Sequence, residues 1–147
     1  MAKSIFPYSS FPVSASEVYP HGTTAHRPVA LATVTASNGQ SVQWIVMPDS
    51  GADACLFPLA LAIVLKINIL KLPKAFTGGV GSQVNVTYYD NLTIDLGNGI
   101  VFTAYVGFTQ GMDQVGLGLL GQSGFFDRYN VEFLHSRKIF TIDPVAI

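Results

Sequence analysis

An acidic residue stands where an apolar stretch of this chain runs into a glycine. The stretch Gln43-Trp44-Ile45-Val46-Met47 is apolar and partly β-branched, which predicts a buried strand. After Pro48 the sequence continues as Asp49-Ser50-Gly51-Ala52. A carboxylate at the end of a buried strand costs free energy unless hydrogen bonds hold it. The Ser50 hydroxyl and the backbone N–H groups of Ser50 and Gly51 can supply such bonds, so we expect the domain to be organised around this loop.

The composition restricts the class of protein. A chain of 147 residues with 49% apolar and 12% charged residues is expected to form a globular domain with a sizeable core. Its formal net charge of -1 provides no basic surface for nucleic acid. So few charges also leave an apolar surface, which small domains often cover by forming an oligomer.

Neither a secretory leader nor a membrane span is visible in the sequence. The first seven residues contain no apolar segment of signal-peptide length. The longest apolar run, from Ala54 to Leu65, contains Pro58 and is too short to cross a bilayer. The lone cysteine, Cys55, excludes an internal disulfide bond and fits a reducing compartment. We therefore expect a soluble, cytoplasmic protein with no membrane partner.

Residues 1–28 are predicted to be an extended N-terminal arm and residues 29–147 a single domain. Repeated X–Pro pairs favour extended backbone in the arm. The domain begins with a predicted hairpin in which strands at 29–35 and 41–47 flank Asn38-Gly39, a dipeptide typical of tight hairpin turns. A short helix is predicted at 58–65, with Pro58 in its first turn. Its apolar residues lie nearly all round, so it should be largely covered.

The second half of the chain alternates between β-rich segments and glycine turns. A turn or two of helix is predicted between residues 123 and 128. Strands are predicted at 83–89, 92–96, 100–106, 117–120, 129–134 and 139–142. Many short strands with one or two brief helices predict a mostly β fold with barrel-like closure.

The sequence Asp49-Ser50-Gly51-Ala52 resembles the Asp-Thr/Ser-Gly-Ala signature of aspartic proteases, which implies peptide hydrolysis by two carboxylates. Two carboxylates a few ångströms apart cannot both ionise, so they share one proton. The ionised partner can then draw a proton from a water molecule, while the neutral partner hydrogen-bonds the substrate carbonyl. This chemistry needs neither a metal nor a cofactor. The chain has one Asp-Ser-Gly sequence, so a second Asp49 must come from a second copy of the chain, related by a two-fold axis.

The order of motifs resembles the retropepsin-like aspartic proteases, the retroviral-type, single-domain kind. After Asp49-Ser50-Gly51-Ala52 come the glycine-rich turn Gly78-Gly79-Val80-Gly81 and then Leu119-Leu120-Gly121 before a short predicted helix. The family has this order of catalytic loop, flap hairpin, two hydrophobic residues with glycine, and helix. Residues 118–127 also look like bacterial-type members. The resemblance covers roughly Val29 to Ile142 and implies a closed barrel of short strands, one or two short helices, and a homodimer.

The resemblance also implies roles for individual residues. Asp49 is the implied catalytic residue, supported by Ser50, which would hydrogen-bond across the dimer axis, and by Gly51, whose backbone approaches the carboxylate. Peptide or protein substrate would bind as an added strand. The residues implied in that binding are Ala52, Asp53, Gly78, Gly79, Val80 and Gly81.

Two residues depart from the family pattern. Pro48 precedes Asp49 where an aliphatic residue is expected, and it removes a backbone donor. Gln122 follows Gly121 where viral members often have Arg, so an ion-pair partner for Asp53 is missing. Asp53 is therefore equally well interpreted as a solvated loop acid.

Other interpretations stay open or are set aside. A catalytically silent dimer of the same fold could bind peptides or scaffold an assembly, and a small β-barrel binding module could use Asp49-Ser50-Gly51 as a plain turn. The Gly-x-Gly-x-x-Gly match at 116–121 leaves too little room for the helix of a dinucleotide site. His21 and His26 have no neighbouring ligands for a metal, and Cys55 is interpreted as a small buried hydrophobe.

Overall fold

The computed structural model of the chain describes residues 3–78 and 84–146 and consists mostly of β-strands. One α-helix lies in these residues, α1 (Leu59–Val64), with three short 3-10 helices at Ile69–Lys71, Gln110–Met112 and His135–Arg137. The strands are β1 (Ser4–Pro7), β2 (Ser9–Val13), β3 (Thr23–Arg27), β4 (Ala30–Ala36), β5 (Ser41–Pro48), β6 (Leu56–Pro58), β7 (Lys74–Gly78), β8 (Val84–Gly97), β9 (Ile100–Thr109), β10 (Gly118–Leu120), β11 (Tyr129–Leu134) and β12 (Ile139–Pro144).

Six of these strands form a closed barrel. Their order is β4-β5-β10-β6-β9-β8, and β8 returns to pair with β4, while β7 pairs with the first residues of β8. The core fills the barrel because alternate residues point inward, as Ala32, Val34 and Ala36 do along β4. The prediction of a mostly β, closed barrel with one or two short helices is confirmed.

The hairpin at the start of the barrel follows the sequence prediction. Gly39 has a φ of +86°, which glycine adopts without strain. The Asn38 side chain accepts a hydrogen bond from the N–H of Gln40 and donates one to the carbonyl of Leu65, just past α1. The turn residues therefore set the hairpin and also hold the end of the helix.

Strand β8 is one strand of 14 residues, whereas the sequence predicted two strands separated at Asp90-Asn91. Strand β9 pairs with it from Thr87 to Gly97, so Asp90 and Asn91 are held extended opposite Val106 and Tyr105. The other side of β8 pairs first with β7 and then with β4. Pairing partners on both sides override the weak β-propensity of Asp and Asn.

Helix α1 is covered on one side only. Leu61 and Ala62 are fully buried, but Ile63 is 67% exposed and Val64 is 50% exposed. The expectation that the helix is largely covered was wrong, because an apolar sequence does not say how many neighbours a short helix has. Residues 124–128 form consecutive turns rather than the predicted helix, with the aromatic ring of Phe125 buried beneath them, and Ser123 forms a single bridge with Ala54.

The segment predicted as an extended arm contains three strands. Strand β1 pairs with β12 in a separate sheet ordered β1-β12-β11, and the buried rings of Phe6 and Phe140 stack at 5.2 Å. Strands β2 and β3 form a hairpin of their own. X–Pro pairs indicate extended backbone, but they do not indicate that β1 pairs with a strand more than 130 positions away. No helix in the described residues is long and apolar enough to cross a membrane.

The backbone of Gly118, the first residue of β10, lies against the side chain of Phe57. A Cβ there would overlap the buried ring of Phe57. We expect Gly118→Ala to lower the free energy of unfolding by about 1–3 kcal/mol, the usual cost of overpacking. Combining it with Phe57→Leu should destabilise less than the sum of the two single changes, because the smaller side chain relieves the overlap. Urea denaturation of the four proteins measures this, and strict additivity would contradict the contact.

Candidate active site

Three short strands place Asp49 at the end of β5. Strand β10 lies between β5 and β6, parallel to β5 and antiparallel to β6. Leu120 is the partner of Pro48 in this ladder, and its carbonyl accepts a 2.9 Å hydrogen bond from the N–H of Asp49. The backbone of Asp49 is therefore held by β10 although β5 has ended.

The carboxylate of Asp49 is half-buried and held by the turn that follows it. Its Oδ1 accepts a hydrogen bond of 2.9 Å from the N–H of Gly51, and its carbonyl accepts one of 3.1 Å from the N–H of Ala52. A Cβ on Gly51 would lie 3.2 Å from Oδ1, so a larger residue would crowd the carboxylate. Hydrogen bonds to an ionised acceptor are stronger than neutral ones. The turn thus fixes the direction of the acid.

The chain leaving β10 runs beside this loop. The N–H of Gln122 donates to the carbonyl of Ala52 at 2.8 Å, and the N–H of Ser123 donates to the carbonyl of Asp53 at 2.9 Å. Gly121 makes the approach possible, since a Cβ there would overlap the Ala54 carbonyl and lie 2.7 Å from the Ala52 oxygen. The glycine after two leucines is therefore required by backbone contact.

Cys55 is a buried link between the same two segments. Its Sγ accepts a hydrogen bond of 3.4 Å from the N–H of Gly121, and the thiol donates one of 3.6 Å to the Ser123 carbonyl. The side chain is fully buried, which agrees with the sequence interpretation, but its hydrogen bonds were not foreseen. Burial raises the pKa of the thiol above its ordinary value, and the N–H of Gly121 offsets part of this rise.

Pro48 does not weaken the pairing that holds Asp49. Successive N–H groups of a strand point to opposite sides. Because the N–H of Asp49 points to β10, the nitrogen of Pro48 points away from it. Strand β4, on that other side, begins at Ala30 opposite Val46 and does not extend to Pro48. Because no paired strand faces the nitrogen of Pro48, its lack of an N–H group removes no ladder hydrogen bond.

Gln122 takes a role that the sequence did not indicate. Its side-chain Nε2 donates a hydrogen bond of 2.8 Å to the carbonyl of Ser50, a residue 72 positions earlier. The sequence marked Gln122 only as a replacement for Arg, and no spacing rule shows how far its amide reaches. Asp53 is exposed, and the ion pair found in the described residues joins Lys3 to Glu132 instead.

The structure places the predicted site residues in two groups. Asp49 to Asp53 form one continuous loop, with Ser50, Gly51 and Asp53 exposed. Both backbone groups of Ala52 already bond within the chain, to Asp49 and to Gln122. Gly78 ends β7 opposite Val84, and the predicted flap residues Gly79, Val80 and Gly81 lie outside the described residues. In the described ranges, no three His, Cys, Asp or Glu side chains converge as ligands of a metal ion would.

Comparison with known proteins supports the fold. No family model and no curated protein sequence matches the chain. Among solved structures, it is similar to a retropepsin-like aspartic protease from Rickettsia conorii, with a TM-score of 0.57 and 14% sequence identity over 90% of this chain and 98% of that one. The chain therefore has the retropepsin-like fold.

The Cys55 thiol should be unreactive in the folded protein. Since the thiolate is the reactive form, both burial and a raised pKa keep the group inert at pH 8. We expect labelling by a disulfide reagent to be slower by a factor on the order of 10² or more than in urea-unfolded protein. Absorbance of the released thiol measures the rate. Labelling of the native protein as fast as that of the unfolded chain would contradict the buried, hydrogen-bonded position.

Proposed function

We propose that this protein is an aspartic endopeptidase that works as a homodimer, with one catalytic carboxylate supplied by Asp49 of each subunit. The observation that carries the proposal is the geometry of Asp49. Its half-buried carboxylate is held by the N–H of Gly51 at the end of β5, in a chain with the retropepsin-like fold. The similarity of residues 118–127 to bacterial-type members stays a prediction.

The proposed mechanism uses the pair of acids and a water molecule. With the two Asp49 carboxyl groups close together, one stays protonated and the other is ionised. The ionised group takes a proton from the water as it attacks the peptide carbonyl, and the neutral group hydrogen-bonds the carbonyl oxygen. Gly51 keeps each acid directed by its N–H. No metal or cofactor is required for these steps.

The dimer in this proposal is required by the chemistry and agrees with the loop's exposure. One subunit has a single Asp-Ser-Gly sequence, and Ser50, Gly51 and Asp53 are exposed around its acid. The Ser50 carbonyl bonds to Gln122, whereas its hydroxyl makes no hydrogen bond to the described residues. That hydroxyl is free to bond to the opposite loop across a two-fold axis.

Substrate in this proposal is an extended peptide. It contacts the Asp49 loop, including Ala52 and Asp53, and the predicted flap residues Gly78, Gly79, Val80 and Gly81, the last three of which lie outside the described residues. Main-chain hydrogen bonds would provide most of the affinity, and alternate side-chain pockets the specificity. Exposed apolar side chains stand near the end of β7 and at the start of β8, with Phe76 at 70% and Val84 at 66%.

Replacing the acid tests the proposal directly. We expect Asp49→Asn to reduce cleavage of a mixed peptide library by a factor on the order of 10³ or more, because the amide can neither accept nor supply the shared proton. The matched control is Asp95→Asn. Asp95, near the end of β8, likewise accepts the N–H of the glycine two residues later, Gly97, at 2.8 Å. Mass spectrometry of the products measures cleavage.

Equal cleavage by wild type and Asp49→Asn would exclude Asp49 as the catalyst. Peptide binding without cleavage by the wild-type dimer would favour the silent, peptide-binding alternative instead.

Mixing experiments test the shared site. In a mixed dimer of wild type with Asp49→Asn, one carboxylate is missing. A tenfold excess of Asp49→Asn should therefore lower the activity per wild-type subunit about tenfold after subunit exchange. The same excess of Asp95→Asn should not lower it, because its dimers keep both acids. Full wild-type activity under excess Asp49→Asn, or a monomer at micromolar concentration in sedimentation, would rule out a site built from two subunits.

A further inference from the structure

The side chain of Gln122 acts on the same peptide group that holds Asp49. Gln122 Nε2 donates to the carbonyl oxygen of Ser50 at 2.8 Å, and the N–H of Gly51 donates to Asp49 Oδ1 at 2.9 Å. The Ser50 carbonyl and the Gly51 N–H belong to one peptide unit. That unit is planar and trans, so the two groups point in opposite directions as a rigid pair.

We propose that Gln122 is a positioning residue for Asp49. By fixing the direction of the Ser50 carbonyl, its amide fixes the direction of the Gly51 N–H and thereby the orientation of the Asp49 carboxylate. A hydrogen bond to the carbonyl also polarises the peptide and strengthens the N–H as a donor. This inference rests on the proposed function for its effect on catalysis, while its effect on the loop can be measured separately.

The backbone of Gln122 supports the same arrangement. Its N–H donates to the Ala52 carbonyl at 2.8 Å, and its own carbonyl accepts the N–H of Asp127 at 3.1 Å. Gln122 therefore bonds on both sides of Gly51, to Ser50 with its side chain and to Ala52 with its backbone. Gly121, immediately before it, is held against Ala54 and Cys55. The amide group is thus presented from a backbone that is itself fixed.

An amide suits this position because its donor does not titrate. A glutamine N–H₂ offers two donors at every pH. The titratable groups on the segments bonded to Gln122 are Asp49, Asp53, Cys55 and Asp127, so the ionisation of the loop can change without loss of the donor.

The test is Gln122→Glu, which turns the donor into a titratable group of nearly the same shape. When ionised, the new carboxylate can only accept hydrogen bonds and faces the Ser50 carbonyl oxygen unfavourably. When protonated, near or below the ordinary glutamate pKa of about 4.3, it can donate again. Gln122→Met has a side chain of similar length without a donor, so the loss of the hydrogen bond to Ser50 should be the same at every pH. The matched control is Gln43→Glu, the same change at an exposed position on β5.

The first measurement is hydrogen exchange of the Gly51 amide by NMR, relative to wild type at the same pH. At pH 7 we expect exchange about three- to tenfold faster in Gln122→Glu and Gln122→Met, the effect of losing one net hydrogen bond. At pH 3.5 the excess should largely disappear in Gln122→Glu and persist in Gln122→Met. Both pH values use one variant, so a folding defect cannot produce this difference.

The second measurement is the kinetics of peptide cleavage at pH 6, where the introduced carboxyl is ionised. We expect kcat to fall by a similar factor in Gln122→Glu and Gln122→Met with KM little changed, because the acid is misdirected while the substrate contacts remain. The ratio of the variant's kcat to that of wild type should rise toward one as the pH is lowered to 4 in Gln122→Glu but not in Gln122→Met. This difference would support the positioning role.

The outcomes separate the two proposals. Gly51 exchange in both Gln122 variants equal to that of Gln43→Glu would overturn the positioning role, whatever the cleavage activity. If Gly51 exchange is faster in the Gln122 variants but the wild-type protein cleaves no peptide, the proposed peptidase activity is removed and the role of Gln122 in orienting the loop remains.

Discussion

The contact between the backbone of Gly121 and the carbonyl groups of Ala52 and Ala54 is the constraint on which the candidate site depends. It lets the chain leaving β10 run beside the Asp49 loop, so that backbone hydrogen bonds replace side-chain contacts between them. At the other end of β10, Gly118 lies equally close to the ring of Phe57. A three-residue strand can lie between β5 and β6 because glycines stand at its start and just after its end.

Hydrogen bonds, rather than charges, hold this region. The thiol of Cys55 and the amide of Gln122 link the segment that contains Asp49 to the chain leaving β10, and the N–H groups of Gly51 and Ala52 bond to Asp49 within the loop. The ion pair in the described residues joins Lys3 to Glu132 and does not involve this loop. Short-range hydrogen bonds are screened little by salt, so the orientation of Asp49 should depend weakly on ionic strength.

Much of this arrangement could be predicted from local sequence, and the remainder depended on distant partners. The Asn38-Gly39 hairpin, the loop after β5 and the strand at Leu119-Leu120 have signals within a few residues, and each is found in the structure. The reach of Gln122 to Ser50, the bonds of Cys55 and the pairing of β1 with β12 join residues 66 to more than 130 positions apart, for which one sequence has no signal. The same reason explains why β8 was divided at Asp90 and why the exposed side of α1 was missed.

The pairing of β1 with β12 has a mechanical consequence. The two strands are antiparallel, with Ser4 opposite Ile142 and Pro7 opposite Ile139, so the outer ends of both strands lie side by side. A force that draws these ends apart would open the ladder one hydrogen bond at a time, as in a zipper, instead of shearing all of them together. The ladder between β1 and β12 would then open from Ser4 and Ile142 toward Pro7 and Ile139.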